Sequence, residues 1–361
     1  MKKKLKDICT IEKGKQIDTK LLADTSSYRY INGGIKESGF YNDFNTSGET
    51  VLISEGGASC GYVNYVNEKF WCGCHCYKLI DINVFPKFLF YALKASQNEI
   101  MALRTGAAMP NIKKESLKVF EVSVIENKND QIKITTYLDS IQAAIDNKQQ
   151  QLKELDELVK SRFIEMFDGK GYPQVTIGEL VTSKVPSVKK SFAPTDLIKY
   201  IDISSIDNIR NVMTGYTEYV LQEAPSRAQQ HIKTGDIVIS TVRPNLKNVA
   251  ITTYEDDNLV ASSGFCVLRA NKCLPSYLMA IVCSEKFTEA MIKLVTGANY
   301  PAIKDSDVLN YVVALPPIKI QEQFAAFVEQ TDKSKFYIQH INEIYLLIIK
   351  KLSWRVKHDY N

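Results

Sequence analysis

The sequence predicts an α+β protein in which one mixed domain and one long helix occur twice in a single chain. A repeated motif, a shared order of short β-rich runs, and a long charged segment closing each half predict this fold class. The motif is TGAAMPNIK at residues 105–113 and TGANYPAIK at residues 296–304. Duplication of a whole domain with its helix therefore organises the 361 residues.

Smaller matches fall in the same order in both halves. They are the pairs Tyr30 and Tyr200, residues 51–54 and 237–240, Cys76 and Cys266, and Gln131 and Gln321. We place mixed domains at residues 1–115 and 171–307, and a strand followed by a long helix at residues 116–170 and 308–361. Two related copies predict a pseudo-two-fold molecule, which suits a partner that is itself two-fold, such as the DNA duplex.

Local patterns predict the elements of the mixed domains. Residues 49–53, 61–66 and 236–240 are β-rich runs bounded by Gly, Asn, Asp and Pro turns, and we expect strands there. Residues 85–93 and 274–282 are apolar runs with a proline in the first turn, which predicts helices.

The closing segments carry apolar stripes with helical spacing, interrupted by Lys148, Arg162 and Lys335. A turn at residues 315–318 (LPPI) precedes the second helix, because paired prolines stop a strand. Packed together, the stripes predict a two-helix antiparallel coiled coil. The alternative is that each stripe packs only on its own domain. The stripes are Ile134, Leu138, Ile141, Ile145, Leu152, Leu155, Val159 and Met166, and Phe324, Val328, Ile338, Ile341, Tyr345, Ile348 and Leu352.

Composition places the chain among globular proteins. Hydrophobic residues make up 45% and charged residues 24%, and no apolar run approaches the ~18 residues of a membrane helix. We therefore expect a cytoplasmic protein without a membrane partner. The net charge of +4, from 45 basic and 41 acidic residues, permits nucleic acid but does not demand it.

A cysteine cluster raises the question of a metal site. Strand alternation would place Cys72, Cys74 and Cys76 on one face, but their spacing is tighter than that of a zinc knuckle. The second copy keeps only Cys266, the counterpart of Cys76. We therefore favour a packed strand over a metal site.

Motifs for catalysis are missing from the sequence. It has no Gly-x4-Gly-Lys-Ser/Thr loop and no strand followed by Gly-x-Gly-x-x-Gly. The four histidines are scattered without an obvious nucleophile beside them. We expect a non-enzymatic protein that binds neither a metal nor a cofactor itself.

The order of these features resembles the specificity subunits of type I restriction-modification systems. Residues 235–244 (GDIVISTVRP) look like a strand of a target-recognition domain, and residues 316–323 (PPIKIQEQ) look like the entry to a spacer helix. The resemblance covers essentially the whole chain. The first copy departs from it at residues 125–131 (IENKNDQ) and at Glu55-Gly56-Gly57, which we match to Val242-Arg243-Pro244.

The resemblance implies two target-recognition domains that each read one half of an asymmetric, bipartite site in double-stranded DNA. A helix of nearly forty residues is about 55 Å long, enough to span half-sites ~34 Å apart. The implied partners are two modification subunits, which hold S-adenosylmethionine and methylate adenine, and the motor-nuclease restriction subunits. Alternatives of other classes are a coiled-coil scaffold without DNA specificity and a divergent DNA-modifying enzyme.

Eight residues are candidates for contact with DNA. Lys113 and Lys304 recur after a proline turn and are expected to contact phosphate. Arg243, Lys247 and Asn248 follow a strand and could reach base edges in the major groove. Ser54, Ser240 and Thr241 could contact phosphate or base, or simply end their strands.

Overall fold

The computed structural model describes residues 1–106, 109–182, 184–297 and 301–358, with side chains up to residue 348. The chain forms two compact units. Unit 1 holds residues 1–150 and the residues from 338 onward, and unit 2 holds residues 151–337. Both long helices continue from one unit into the other, whereas the predicted domain boundaries keep each helix whole. Those boundaries stay a prediction.

Unit 1 combines antiparallel and parallel pairing. One sheet has the antiparallel order β2-β8-β5-β6, a second has the order β4-β3-β7 with β3 parallel to β7, and β1 pairs with β9. The strands are β1 (Lys2–Lys4), β2 (Thr10–Lys13), β3 (Tyr28–Ile31), β4 (Phe40–Tyr41), β5 (Thr50–Ser54), β6 (Val63–Val66), β7 (Phe70–Cys72), β8 (Cys76–Ile80) and β9 (Glu121–Ser123). The helices are α1 (Pro86–Ala95), α2 (Gln97–Ala102), α3 (Lys114–Lys118) and the start of α4 (Lys128–Phe167).

Unit 2 repeats this plan with additional strands. Its sheets have the orders β17-β16-β19, β14-β11-β18-β15, β12-β13 and β10-β20. The strands are β10 (Gln174–Thr176), β11 (Leu197–Ile201), β12 (Ile206–Asp207), β13 (Val212–Met213), β14 (Thr217–Val220), β15 (Ala228–His231), β16 (Ile237–Ser240), β17 (Val249–Ile251), β18 (Leu259–Ser262), β19 (Phe265–Leu268) and β20 (Val312–Ala314). The helices are α5 (Ile177–Leu180), α6 (Val188–Ser191), α7 (Pro275–Val282), α8 (Glu285–Lys293), α9 (Asp305–Leu309) and α10 (Ile318–His358).

The predicted elements are present. Strands β5, β6 and β16 overlap the predicted runs, and α1 and α7 begin at Pro86 and Pro275. Proline fits there because the first helical residue has no intrahelical use for its N–H. Each unit buries its own apolar core, centred on β5 and α1 in unit 1 and on β16 and α7 in unit 2.

A buried glutamine joins each long helix to its mixed domain. Gln131 accepts a hydrogen bond at Oε1 from the Phe85 N–H (2.7 Å) and donates through Nε2 to the Ile125 carbonyl (2.6 Å). Gln321 likewise accepts a hydrogen bond at Oε1 from the Leu274 N–H (2.8 Å) and donates through Nε2 to the Pro316 carbonyl (2.8 Å).

The two glutamines are only 2% and 1% exposed, so water cannot replace these bonds. Phe85 and Leu274 precede α1 and α7, neither of which has a side-chain cap. One amide therefore joins the turn before the long helix to the first turn of the domain helix. We call this arrangement the glutamine clasp.

The two long helices pack together antiparallel. In unit 2 the Phe163 and Phe167 rings of α4 lie 5.6 and 5.3 Å from the Phe324 ring of α10. Further along, Lys335 of α10 forms a 2.7 Å ion pair with Asp156 of α4. Residue numbers fall on one helix as they rise on the other, which confirms the predicted antiparallel pairing. The alternative that each stripe packs only on its own domain is wrong.

The predicted single face of three cysteines is wrong. Residues 73–75 form a turn between β7 and β8, so strand alternation stops before Cys74. Cys72 and Cys76 are buried in one apolar cluster, and Cys74 is partly exposed and donates to Gln16 Oε1 at 2.9 Å. Among the described residues, no group of three or more His, Cys, Asp or Glu side chains could hold a metal ion.

Within the described part of the chain, every helix is too short or too polar to cross a membrane.

The glutamine clasp yields a stability prediction. Gln131→Ala or Gln321→Ala removes two hydrogen bonds and leaves a backbone N–H and a buried carbonyl without partners, which should lower the free energy of unfolding by about 2–4 kcal/mol. Urea denaturation followed by circular dichroism measures this change. Gln142→Ala, at an exposed position of α4, is the matched control and should cost under about 0.5 kcal/mol. Equal effects of all three substitutions would contradict the clasp.

Candidate nucleic-acid interface

The same turn follows strand β5 in unit 1 and strand β16 in unit 2. The N–H groups of Ile112 and Ile303 donate to the carbonyls of Glu55 and Thr241, both at 2.9 Å. Two residues further on, the Gly57 N–H donates to the Pro110 carbonyl (3.0 Å), and the Arg243 N–H donates to the Pro301 carbonyl (2.8 Å).

The hydrogen bonds correct the predicted match between the copies by one residue. Glu55 occupies the place of Thr241, and Gly57 occupies the place of Arg243. The predicted match of Glu55-Gly56-Gly57 to Val242-Arg243-Pro244 is therefore wrong.

The repeated nine-residue motif holds this turn. Thr105 and Asn111 exchange two backbone hydrogen bonds of 2.9 Å, and Thr296 and Ala302 exchange two of 2.9 and 3.0 Å. Gly106 and Gly297 have φ near +90°, where a side chain would be strained. The motif is thus a small loop whose proline carbonyl receives the N–H of Gly57 or Arg243. Residues 107–108 and 298–300 of the motif lie outside the described residues.

Arg243 stands in a left-handed conformation with a φ of 52°, and its counterpart Gly57 has a φ of 76°. Lys247, four residues later, has a φ of 51°. A side chain in this region costs about 1–2 kcal/mol relative to glycine. The same backbone is therefore strained in unit 2 and relaxed in unit 1, and such strain is common at binding sites.

The strained loop between β16 and β17 is held in shape by its own contacts. Residues Pro244–Leu246 form a single 3₁₀ turn, and the Leu246 N–H donates to the Arg243 carbonyl at 2.9 Å. The side-chain amide of Asn208 donates to the Leu246 carbonyl at 2.7 Å. Arg243 itself is exposed, and no bond to its guanidinium is found among the described residues. The loop presents this cation on a preorganised backbone.

Lys247 and Asn248 are only partly available. The Lys247 ammonium pairs with Glu285, the first residue of α8, and the hydrogen bond from this ammonium lowers the pKa of the Glu285 carboxyl. The Asn248 carbonyl accepts a 2.9 Å hydrogen bond from the Ser240 N–H, and Asn248 is half-buried. A phosphate would therefore compete with Glu285 for the Lys247 ammonium.

The candidate hydroxyl groups point inward. Ser54 and Ser240 are 4% and 2% exposed. The Ser240 hydroxyl donates to the Val242 carbonyl at 2.9 Å, and the Thr241 hydroxyl donates to the Gly264 carbonyl at 3.0 Å. Burial and these bonds favour the alternative in which the three residues end their strands.

Lys113 and Lys304 occupy equivalent exposed positions. Each immediately precedes a five-residue helix, α3 or α9. Lys114 follows Lys113 and the first turn of α3 contains one acidic residue, Glu115, whereas the first turn of α9 contains two, Asp305 and Asp307. The potential around Lys113 is therefore the more favourable for a phosphate. Phosphate contact by either lysine stays a prediction.

A polar cluster around Glu55 was not predicted. The Glu55 carboxylate is 9% exposed and accepts from Lys13 Nζ at 2.6 Å and from the Tyr77 hydroxyl at 3.1 Å. Burial and the nearby Glu55 carboxylate raise the pKa of Tyr77 to about 12. The signal that could have found this cluster is an acidic residue, Glu55, directly after strand β5, all of whose residues are buried. Because Thr241 stands here in unit 2, the two turns differ in charge as well as in strain.

The strain at Arg243 can be measured. Arg243→Gly should leave the melting temperature unchanged or raise the free energy of unfolding by up to about 1 kcal/mol, because glycine tolerates the left-handed backbone. Arg243→Val should lower the free energy by about 1–2 kcal/mol, because a β-branched residue fits this region poorly. Thermal unfolding followed by circular dichroism separates the two. A glycine variant less stable than the valine variant would contradict the assigned conformation.

The tandem mixed domains, each closed by a clasp and a long helix, define a known class. The family described as "Type I restriction modification DNA specificity domain" matches residues 1–157 and again residues 170–345. The chain belongs to this family.

Two relatives are named as type I specificity subunits. A type I specificity subunit of Mycoplasma genitalium is 34% identical over 40% of this chain and 39% of its own length. A type I specificity subunit of Mycoplasma pneumoniae is 35% identical over 44% of this chain and 41% of its own length. The matches thus span about two fifths of these relatives.

A solved structure shares the fold. The type I restriction-modification S subunit from M. genitalium matches 99% of this chain and 96% of that chain, with a TM-score of 0.65 and 19% identity. At this identity the likeness concerns the fold alone.

Proposed function

We propose that this chain is the sequence-specific DNA-recognition subunit of a type I restriction-modification complex. It reads an asymmetric, bipartite target in double-stranded DNA, one half with each mixed domain. The names of the relatives support this proposal, as does the presence of two matched domains in one chain. The expectation that the paired helices set the gap between the half-sites belongs to the same proposal.

One observation carries the proposal of two unlike readers. The turn after β5 and the turn after β16 have the same backbone hydrogen bonds, but Gly57 stands in one and Arg243 in the other. An arginine on a rigid loop can make two hydrogen bonds to a guanine edge in the major groove, which a glycine cannot. A shared scaffold with different side chains at its tip suits a target whose two halves differ.

The chain would not itself methylate DNA. In this proposal two modification subunits bind S-adenosylmethionine and methylate adenine, and restriction subunits join them. The candidate residues support this division of labour, since the exposed ones, Lys113, Lys304 and Arg243, are cations suited to contacting phosphates and bases.

A reconstitution experiment tests this function. The chain is mixed with a modification subunit, S-adenosylmethionine and a library of DNA duplexes, and methylated duplexes are sequenced. We expect methylation of a split, non-palindromic sequence only when both proteins are present. Methyl transfer by this chain alone, or methylation without sequence preference, would contradict the proposal.

Arg243→Ala should relax recognition in one half-site only. Loss of a bidentate contact to a base costs about 1–3 kcal/mol of discrimination at that position. The same library assay would detect degeneracy at one base of one half. Lys113→Ala is the control, because loss of a phosphate contact should weaken all sequences about equally. Degeneracy in both halves, or in neither, would argue against base readout by Arg243.

Glu285→Gln should strengthen non-specific binding of DNA, because it frees Lys247 for a phosphate. In the reconstituted complex, the slope of log affinity against log salt should grow by about 1 in magnitude. Glu289→Gln, one turn further along α8 and exposed, changes the net charge equally. If both variants behave alike, release of Lys247 is not the cause.

A further inference from the structure

The turn between β7 and β8 in unit 1 lies directly beside the turn after β5. The Glu55 N–H donates to the His75 carbonyl at 2.8 Å. In unit 2 the Thr241 N–H donates to the Gly264 carbonyl at 3.0 Å. Because Glu55 and Thr241 occupy the same place, His75 and Gly264 correspond as well.

The strand registers give the same match. In unit 1 Ser54 faces Cys76, and in unit 2 Ser240 faces Phe265. The residue before each of these partners is the one whose carbonyl accepts the bond from the neighbouring turn. The registers also show that the predicted match of Cys76 to Cys266 is wrong by one residue.

The side chains at two neighbouring places are exchanged between the units. At the tip of the turn after β5, unit 1 has Gly57 where unit 2 has the exposed Arg243. In the adjacent turn the order is reversed, because unit 1 has the exposed His75 where unit 2 has Gly264. Each unit therefore presents a nitrogen-bearing side chain at one of the two places and a glycine at the other.

The packing beneath the adjacent turn is exchanged in the same way. A Cβ on Gly33 would lie 3.1 Å from the His75 Cβ and 2.9 Å from the His75 carbonyl oxygen. Gly33 follows β3 by two residues, and its counterpart after β11 is Ile203. A Cβ on Gly264 would lie 3.6 Å from the Ile203 Cδ1. Glycine thus makes room for His75 in unit 1, whereas isoleucine lies beside the glycine in unit 2.

The backbone of His75 is fixed on both sides. Its N–H donates to Asn32 Oδ1 at 3.0 Å, and its carbonyl accepts from Glu55. The Cys76 N–H closes the turn on the Gly73 carbonyl at 3.1 Å. The imidazole is 60% exposed, and no hydrogen bond to it is found in the part of the chain that the structure describes. As in the loop between β16 and β17, a preorganised backbone carries a side chain that can accept a ligand.

The charges around the imidazole permit DNA to approach. Glu55 Oε2 lies 3.9 Å from His75 Nδ1, which is beyond hydrogen-bond distance. The other carboxylate oxygen accepts from Lys13 and Tyr77, and the Lys13 ammonium offsets the charge of the carboxylate. With Nδ1 beside Glu55, Nε2 is the ring nitrogen left for a ligand.

We propose that His75 is the base-contacting residue of unit 1, as Arg243 is that of unit 2. This inference rests on the proposed function and names the side chain that reads the other half of the target. His75 Nε2 would form one hydrogen bond with a base edge in the major groove. Because a guanidinium can form two such bonds, discrimination by His75 is the weaker of the two.

The library assay in the reconstituted complex tests this assignment. The chain carries His75→Ala, Arg243→Ala or Cys74→Ala, and the melting curve of each variant is compared with that of the unaltered chain. Cys74 is the matched control, because it lies in the same turn and its thiol bonds Gln16 at 2.9 Å. His75→Gln is a second variant, since its amide reaches the position of Nε2.

We expect His75→Ala to lower the preference for one base by about threefold to tenfold, the range for loss of one hydrogen bond. That base should lie in the half-site that Arg243→Ala leaves unchanged. His75→Gln should keep more of the preference than His75→Ala, and Cys74→Ala should change neither half-site.

Three results would overturn the assignment. They are degeneracy in the same half-site that Arg243→Ala relaxes, a uniform loss of methylation over all sequences, and an equal effect of Cys74→Ala. A target selected equally well by the His75→Ala chain would overturn this inference alone. If the unaltered chain selects no sequence, the proposed function fails and this inference fails with it.

Discussion

The glutamine clasp is the contact on which the rest of each unit depends. Gln131 and Gln321 each use one amide to join the entry of a long helix to the first turn of a domain helix. Because both amides are buried, their hydrogen bonds fix the direction in which each long helix leaves its domain. The same bonds stabilise the folded unit. In unit 2 the helix entry set by Gln321 brings Phe324 against Phe163 and Phe167. The antiparallel pairing of the helices thus begins at a hydrogen-bonded side chain.

A fixed frame allows the turns after β5 and β16 to carry different side chains. The motif loop holds the turn after β5 and the turn after β16 with the same backbone hydrogen bonds. Within that frame, unit 1 has a relaxed Gly57 beside a buried carboxylate, and unit 2 has a strained, exposed Arg243. The frame therefore keeps the geometry while the side chains change the chemistry.

Much of this architecture could be predicted because it follows local rules and is repeated. Proline in the first turn predicted α1 and α7, the apolar stripes predicted the antiparallel helix pair, and the motif revealed the duplication. Gln131 and Gln321 were matched from sequence alone, although the bonds they make were not predicted.

Other features could not be predicted because they depend on contacts distant in sequence. The turn at residues 73–75 broke the alternation expected for the cysteines, and Gly73 packs there against the side chain of Asn32. No local signal marks the left-handed backbone of Arg243 and Lys247, since both are ordinary residues that tertiary contacts hold there. The pairing of Lys247 with Glu285 spans 38 residues. The burial of Ser240 likewise became visible only once the sheets were assembled.

The central claim is that two unlike readers share one repeated frame. Mapping adenine methylation across the host genome, with this gene present and deleted, tests that claim most directly. The account predicts a split motif with two different halves that loses its methylation when the gene is deleted. A palindromic motif, or methylation that persists without the gene, would contradict it.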